Sequence, residues 1–292
     1  MKKNDSKDSE GGDIVPLRVS IVRPHPAKST DVKVESMLFS GGEIQVRVEA
    51  PKLGPGESFR ITACLNSSDA VMGMLLLTDA LRRQSGDAPI DLVCPYFPYA
   101  RQDRVCAAGE ALSVRVMTDL VNAQKYRSVE VWDAHSDVTG ALLDRVRVRP
   151  ALDFVRRLDL FAGSKNLPIL VAPDAGAMKK VMGLAKALGT NWVRADKSRD
   201  PKSGEIAGTV VYSEDVGNRD FLIVDDICDG GRTFTALAKA LRPLSTGKIY
   251  LYVTHGIFSA GYAALLKDID VIYTANRLTT LPDNPRVRLI EN

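Results

Sequence analysis

Cysteine is scarce in this 292-residue chain. Cys64, Cys94, Cys106 and Cys228 lie far apart, with neither zinc-ligand spacing nor the density of a disulfide scaffold. A small disulfide-held fold is excluded, and a reducing compartment fits. Long apolar runs are also missing: none reaches the roughly 18 residues that span a bilayer. The polar start, Met1 to Asp13, contains no apolar stretch of a secretory signal. The expectation is a soluble, cytoplasmic protein that does not engage a membrane. Nor is there an excess of one charge: 39 Lys and Arg face 36 Asp and Glu, a net +3 that leaves no footprint for nucleic acid or an anionic membrane. Any basic site must be local. Disorder is excluded by a 45% hydrophobic, 26% charged composition, and at about 150 residues per domain the length suits one large or two ordinary domains.

Residues 1–13 mix Lys, Asp, Ser, Glu and Gly without a hydrophobic period and read as a disordered tail. Beyond Val15, β-rich runs alternate with helical patterns. Ile44 to Val48, Arg60 to Leu65, Ile90 to Cys94 and Val129 to Trp132 read as strands in the first half, and Leu167 to Val171, Phe221 to Val224, Ile249 to Val253 and Val271 to Tyr273 in the second. Ala70 to Arg83 is apolar almost all round and predicts a buried helix ended by Ser85-Gly86. Stripes at Leu112, Val116, Met117, Leu120 and Val121, at Met178, Val181, Met182, Ala185 and Leu188, and at Phe234, Leu237, Ala238 and Leu241 predict three more. Such alternation implies α/β architecture with mostly parallel sheets. Arg147-Val148-Arg149-Pro150 breaks the pattern, so the expected domains are 14–150 and 151–292.

The strongest local signal is an apolar strand running into Asp225-Asp226-Ile-Cys-Asp229-Gly230-Gly231-Arg232-Thr233 and then a helical stripe. Backbone N–H groups at a helix N-terminus can cradle a phosphate, while adjacent carboxylates accept hydrogen bonds from ribose hydroxyls or hold hydrated Mg²⁺. The bland alternative is an acidic turn with an N-cap; three acids within five residues after a buried strand speak against it.

This segment resembles the phosphoribosyl-diphosphate loop shared by type I phosphoribosyltransferases and ribose-phosphate diphosphokinases. Pro95-Tyr-Phe-Pro-Tyr99-Ala-Arg101-Gln102-Asp103-Arg104 is similar to the Tyr-Phe-x-Tyr-Ala-Arg-Gln-Asp-Arg signature of the diphosphokinases. Phe39-Ser40-Gly41-Gly42-Glu43-Ile44 resembles their Phe-Ser-Asp-Gly-Glu-Ile, Pro173-Asp174-Ala175-Gly176 their Pro-Asp-Ala-Gly, and Thr254-His255-Gly256 has a counterpart as well. The matches run in family order from about residue 35 to 275. The resemblance implies two tandem type I phosphoribosyltransferase-like domains and Mg²⁺-dependent transfer of the β,γ-diphosphate of ATP to an anomeric hydroxyl, with release of AMP.

Carried over by position, the resemblance makes His135 and Asp174 metal-associated, and gives His135, Lys197 and Arg199 catalytic positions, the last two in a mobile polar loop, Asp196 to Glu205, that closes on the transition state. It assigns ATP to Phe39, Glu43, Arg101, Gln102 and Asp103, with Phe39 and Glu43 reaching in from a neighbouring subunit. It assigns the acceptor's ribose hydroxyls to Asp225 and Asp226, and its 5′-phosphate to Asp229, Gly230, Gly231, Arg232 and Thr233. It implies a homo-oligomer assembled through dimers into hexamers. Bland readings stand beside these: His135 as a structural histidine, Arg101 as a surface ion-pair partner, Phe39 as a core aromatic, Lys197 and Arg199 as part of a solvated loop. His25, without such context, reads as structural.

Three departures bear on substrate and regulation. Where the family reads Asp-Thr-x-Gly-Thr, this chain reads Asp229-Gly230-Gly231-Arg232-Thr233, losing a hydroxyl and gaining a guanidinium able to bind a second phosphate. ADP-ribose, with the same free anomeric ribose and a 5′-diphosphate, suits that loop better than ribose 5-phosphate, and its product would feed NAD synthesis. The stretch Arg104 to Leu112 lacks the family's further basic residues, so activation by inorganic phosphate is not expected. Gly41 replaces an Asp beside the nucleotide site. Competing readings are a phosphoribosyltransferase, which leaves Tyr96 to Arg104 unexplained, and a non-catalytic nucleotide-binding scaffold, against which His135, Asp174, Lys197 and Arg199 all stand.

Overall fold

The computed structural model describes residues 17–23, 28–163, 166–199, 206–212 and 218–290, with the backbone alone for 28, 197–199, 206–210 and 212. The tail 1–13 and His25 lie outside these residues. The chain divides into two compact units, Met1–Val148 and Arg149–Asn292.

Unit 1 runs β1 (Leu17–Arg23), β2 (Lys28–Val32), β3 (Val34–Leu38), β4 (Ile44–Val48), β5 (Ser58–Ala63), α1 (Ser68–Ser85), β6 (Ile90–Cys94), α2 (Ser113–Ala123), β7 (Ser128–Trp132), α3 (Asp137–Leu142) and β8 (Val146–Arg149). Its main sheet has the order β2-β1-β5-β6-β7-β8, with β5, β6 and β7 parallel and β1 antiparallel to both neighbours. The core lies between this sheet and its helices, around Phe59, Ile61, Met74, Leu77, Leu81 and Leu92. β3 and β4 form a separate antiparallel hairpin. Helix α1 starts where the Ser67 hydroxyl accepts from Ala70 N–H at 3.1 Å and ends at Gly86, whose φ of +60° a β-carbon would oppose.

Unit 2 runs α4 (Leu152–Val155), β9 (Ile169–Ala172), α5 (Met178–Leu188), β10 (Trp192–Arg199), β11 (Ile206–Tyr212), β12 (Phe221–Cys228), α6 (Arg232–Leu241), β13 (Ile249–Gly256), β14 (Val271–Arg277) and β15 (Val287–Leu289). The sheet order is β11-β10-β9-β12-β13-β14-β15, parallel throughout except for the β10–β11 hairpin. The central strands are covered on both faces, which is why β9 and β13 read as unbroken apolar runs: every residue of each is buried.

The structure corrects several sequence expectations. Helix α1 is not buried all round, for Met72 is 50% exposed and Leu76 also faces outward. In α2 the inner face is Val114, Met117, Thr118 and Val121, with Val116 and Leu120 outside; in α5 it is Val181, Leu184 and Ala185, with Met182 outside. Neighbouring apolar residues such as Val116-Met117 or Val181-Met182 point about 100° apart on a helix, and periodicity alone does not choose between them. Arg147 to Arg149 is no break but part of β8. Strand β12 does not stop at Val224; it pairs with β13 as far as Cys228↔Gly256, so Asp225 and Asp226 are strand residues.

Candidate active site

In unit 2 the chain builds outward from β9 in two directions, to β10 and β11 on one side and to β12 through β15 on the other. Such a reversal leaves a crevice at the carboxyl ends of the strands on either side of it, where ligands of open α/β sheets bind. The register Phe221↔Ile169 to Ile223↔Val171 aligns β9 with β12. Asp174, just past β9, and Asp225 to Thr233, at the end of β12, therefore come to the same edge. Asp174 is half-buried; its Oδ1 accepts from the N–H groups of Gly176 and Ala177 at 3.0 and 3.2 Å, and Oδ2 has no hydrogen-bond partner among the described residues.

After β12 the chain makes a short loop, Asp229-Gly230-Gly231, and enters α6, whose N-terminal cap is Gly231 at φ +77° and ψ 0°. The two glycines differ. A β-carbon on Gly231 would meet Leu265 Cδ2 at 2.9 Å as well as opposing the positive φ, whereas one on Gly230 would meet nothing nearer than Ser259 Oγ at 3.9 Å. Gly231 is thus held in place by the fold, and Gly230 leaves open space. Arg232 is the first residue of α6; it is exposed and has no ion pair among the described residues, while Thr233 is half-buried beside it.

Asp226 is buried at 7% exposure and Asp225 is half-buried next to it. Burial, reinforced by the adjacent Asp226 carboxyl, pushes Asp225 up to about 8; the Asp226 N–H, 2.9 Å from Asp225 Oδ1, and the positive charge of Lys180 oppose the rise only in part. Two withheld carboxyls on one strand end form a set of acceptors suited to vicinal hydroxyls. Lys180, in the first turn of α5, was not among the residues singled out from the sequence. Its signal lay in the Lys179-Lys180 pair following Pro173-Asp174. At the end of the next strand His255 is buried at 2% exposure, with Asn276 Nδ2 3.5 Å from its Nδ1.

Unit 1 gathers its own set at the carboxyl ends of β6 and β7. Trp132 N–H donates to Pro95 C=O at 3.0 Å, which sets the loop Pro95 to Arg104 beside Asp133 to His135. His135, Arg101 and Gln102 are exposed; Asp103 is largely covered and pairs with Arg104 at 3.3 Å. Tyr99 takes a positive φ of 61°, turning the chain sharply before Arg101. Phe39 and Glu43 flank the tip of the β3–β4 hairpin, where Phe39 N–H donates to Glu43 C=O at 2.8 Å and Gly42 N–H to Phe39 C=O at 2.9 Å. Phe39 is 45% exposed, so it is not a core aromatic. In the loop 104–110, Glu110 accepts from the N–H groups of Cys106 and Ala107, at 2.8 and 3.0 Å.

The expectation that Lys197 and Arg199 sit in a polar loop needs correction. Their backbone belongs to β10, paired with β11 through Lys197↔Thr209 and Arg199↔Ile206, with an irregularity between Ser198 and Arg199. Cross-strand hydrogen bonding outweighs the polar composition. Residues 200–205 lie outside the described residues, as do both side chains. Among the described residues no group of three or more His, Cys, Asp or Glu forms a ready-made metal cage, and no helix is long and apolar enough to cross a membrane.

Comparison with known proteins bears on the family and the fold. Residues 17–124 match the family described as the N-terminal domain of ribose phosphate pyrophosphokinase, and residues 156–274 match the phosphoribosyl transferase domain. The chain is 30% identical over 259 residues to the ribose-phosphate pyrophosphokinase of Pasteurella multocida, covering 86% of this chain and 80% of that one. It is 32% identical over 255 residues to that of Thermococcus kodakarensis, covering 85% and 87%. The crystal structure of phosphoribosylpyrophosphate synthetase from Mycobacterium smegmatis superposes with a TM-score of 0.71 at 21% identity, covering 89% of this chain and 86% of that one, which establishes the same fold of two phosphoribosyltransferase-like domains. The chain belongs to the ribose-phosphate pyrophosphokinase family.

Proposed function

We propose that this protein transfers the β,γ-diphosphate of ATP to the anomeric hydroxyl of ADP-ribose, giving ADP-ribose 1-diphosphate and AMP. The broader reading, diphosphate transfer from ATP to a ribose bearing a 5′-phosphate, rests on the family and on the two site-bearing sheet edges. In the transfer, the acceptor O1 bonds to Pβ, the bond between Pβ and the α,β-bridging oxygen breaks, AMP leaves with the electron pair, and the hydroxyl proton is released. Asp225 and Asp226 orient the ribose hydroxyls. The loop amides and Thr233 take the 5′-phosphate. Arg101, Gln102 and Asp103 with Phe39 and Glu43 seat the nucleotide, the last two from a second subunit of a dimer-based homo-oligomer. Lys197 and Arg199 supply charge to the transferring group.

Mg²⁺ fits the donor set. It binds through one or two protein ligands plus substrate phosphates and needs no closed cage. Within unit 2 its candidate holder is Asp174, whose Oδ2 has no hydrogen-bond partner among the described residues, and within unit 1 it is His135, each taken by itself. When bound, the ion would supply neutralisation of diphosphate charge.

The observation that carries the ADP-ribose reading is Arg232. A guanidinium at the first position of a helix faces the positive end of the helix dipole and is disfavoured there unless an anion answers it. Arg232 has no ion pair among the described residues, and the neighbouring Gly230 leaves room beside it. A second phosphate on the acceptor supplies the missing anion. Glu110 closing its own loop, without the added cations of many relatives, supports activity independent of inorganic phosphate.

The test is AMP release from ATP and Mg²⁺ with ribose 5-phosphate and with ADP-ribose, products identified by mass. ADP-ribose is the preferred acceptor if the reading holds, and Arg232→Gly combined with Gly230→Thr shifts preference toward ribose 5-phosphate. Preference of the unaltered protein for ribose 5-phosphate overturns the ADP-ribose reading. Absence of AMP with both acceptors overturns the enzymatic reading and leaves a nucleotide-binding scaffold.

A further inference from the structure

The segment after β13 touches the acceptor loop at every turn. Ile257 N–H and Phe258 N–H both donate to Cys228 C=O, at 2.9 and 3.0 Å, fixing the last strand residue before the loop. Ser259 Oγ donates to Asp229 Oδ1 at 2.6 Å, a short bond to a carboxylate on the exposed side of the loop. Leu265 then lies over Gly231, so close that no side chain fits there. The segment is itself braced. Phe258 holds a positive φ of 49°, its ring lies against Gly256 where a β-carbon would come within 2.0 Å, and Thr279 Oγ1 donates to Ile257 C=O at 2.6 Å.

A loop containing two adjacent glycines loses more conformational entropy on ordering than one of the same length without them. If the acceptor had to order it, part of the binding free energy would go to that step. Contacts at Cys228, Asp229 and Gly231 order it beforehand.

We infer that Ile257 to Leu265 is a strap that presets the acceptor loop, and that Ser259 is its positioning residue for acceptor binding. Ser259 acts through Asp229 and does not meet the reacting atoms. The inference rests on the reading of Asp229 to Thr233 as the acceptor's phosphate site, and it predicts an effect on acceptor affinity with chemistry and nucleotide binding spared.

The experiment compares Ser259→Ala and Ser259→Thr with the unaltered full-length protein. Steady-state AMP release gives kcat and both KM values, and amide hydrogen exchange of the free protein reports on residues 229–233. Loss of the hydroxyl raises the acceptor KM about tenfold, the scale of one hydrogen bond to a charged group, and leaves kcat and the KM for ATP unchanged. It also speeds exchange across 229–233, and Ser259→Thr restores both readouts. Unchanged exchange in Ser259→Ala, or a fall in kcat with the acceptor KM untouched, overturns the strap. Failure of the functional reading shows differently: the unaltered protein then releases no AMP, while the exchange comparison still decides whether the strap orders the loop.

Discussion

Asp91, near the amino end of β6 in unit 1, and Asp225, near the carboxyl end of β12 in unit 2, are both carboxyls withdrawn from solvent on parallel strands, yet their electrostatics are opposite. Burial alone would raise Asp91, but the hydrogen bonds of Arg127 and Ser128, together with the charges of Arg127 and Arg60, outweigh it and hold the group below its ordinary value. Arg127 Nε donates at 2.9 Å and Ser128 Oγ at 2.7 Å to Asp91 Oδ1, and Arg127 Nη2 reaches both Oδ2 and Ser58. Asp225 has burial and a second carboxyl, Asp226, against it, and is raised to about 8. In the first site a cation and hydroxyls answer the carboxylate; in the second two carboxyls face each other, and burial with a like neighbour keeps the proton on Asp225. The contrast matches the general placing of ligand sites at the carboxyl ends of strands in open α/β sheets.

The contrast can be broken most severely at Asp225. Asp225→Asn removes the acceptor proposed for the ribose hydroxyls and is expected to lower kcat/KM for the acceptor by about a hundredfold, on the order of 3 kcal/mol of lost hydrogen bonding. The same substitution stabilises the free protein at neutral pH. Because the folded value lies above the unfolded one, the folded state binds the extra proton. In the parent, the stability contributed by protonated Asp225 is complete below about 4 and is lost as pH rises through about 8, a loss the variant does not suffer. Melting curves at pH 5 and pH 8 should show the variant's advantage widening with pH; a narrowing gap would contradict the arrangement.

Asp91→Asn gives the mirror image. It is expected to cost about 2 kcal/mol of stability by leaving Arg127 without its carboxylate, with kcat and both KM values unchanged. Here the folded value is lowered, so the stabilisation is present above the unfolded value, about 4, and disappears as pH falls through the folded one. Denaturant unfolding between pH 7 and pH 3 checks it, since the variant and the parent should converge in acid.

Within the acceptor loop the comparison sharpens to two neighbours. Gly231→Ala meets both a positive φ and Leu265 and should cost about 1–3 kcal/mol, whereas Gly230→Ala should stay within about 0.5 kcal/mol in the same unfolding assay. The smallest expected change in stability is at Phe39. As an exposed hairpin-tip residue, Phe39→Ala should leave the melting temperature nearly unmoved while raising the KM for ATP, measured by AMP release.

Much of this was legible from residue order. Strands β4 and β6 and the inner stripe of α6 follow directly from alternation and period, and the loop after β12 announces itself by its acids and glycines. Where sequence reasoning failed, two competing patterns had equal claims. Val116 and Met117 are both apolar and only the sheet decides which faces it; Asp225 and Asp226 resemble loop residues until pairing with β13 carries the strand past them. Ser259 carried no local signal, and Lys180 only that of a basic pair after Pro173-Asp174, because their importance comes from what lies opposite them.

The chain's own residues therefore determine the α/β alternation, the want of an apolar run long enough to span a bilayer and the chemical vocabulary of the loop, since these depend on the side-chain types and their local spacing. Tertiary structure alone decides which end of the sheet gathers Asp174, Asp225 and Arg232, which of two adjacent glycines is indispensable, and which buried carboxyl is satisfied. Those outcomes depend on distances between residues far apart in the chain, and only strand pairing and packing set such distances.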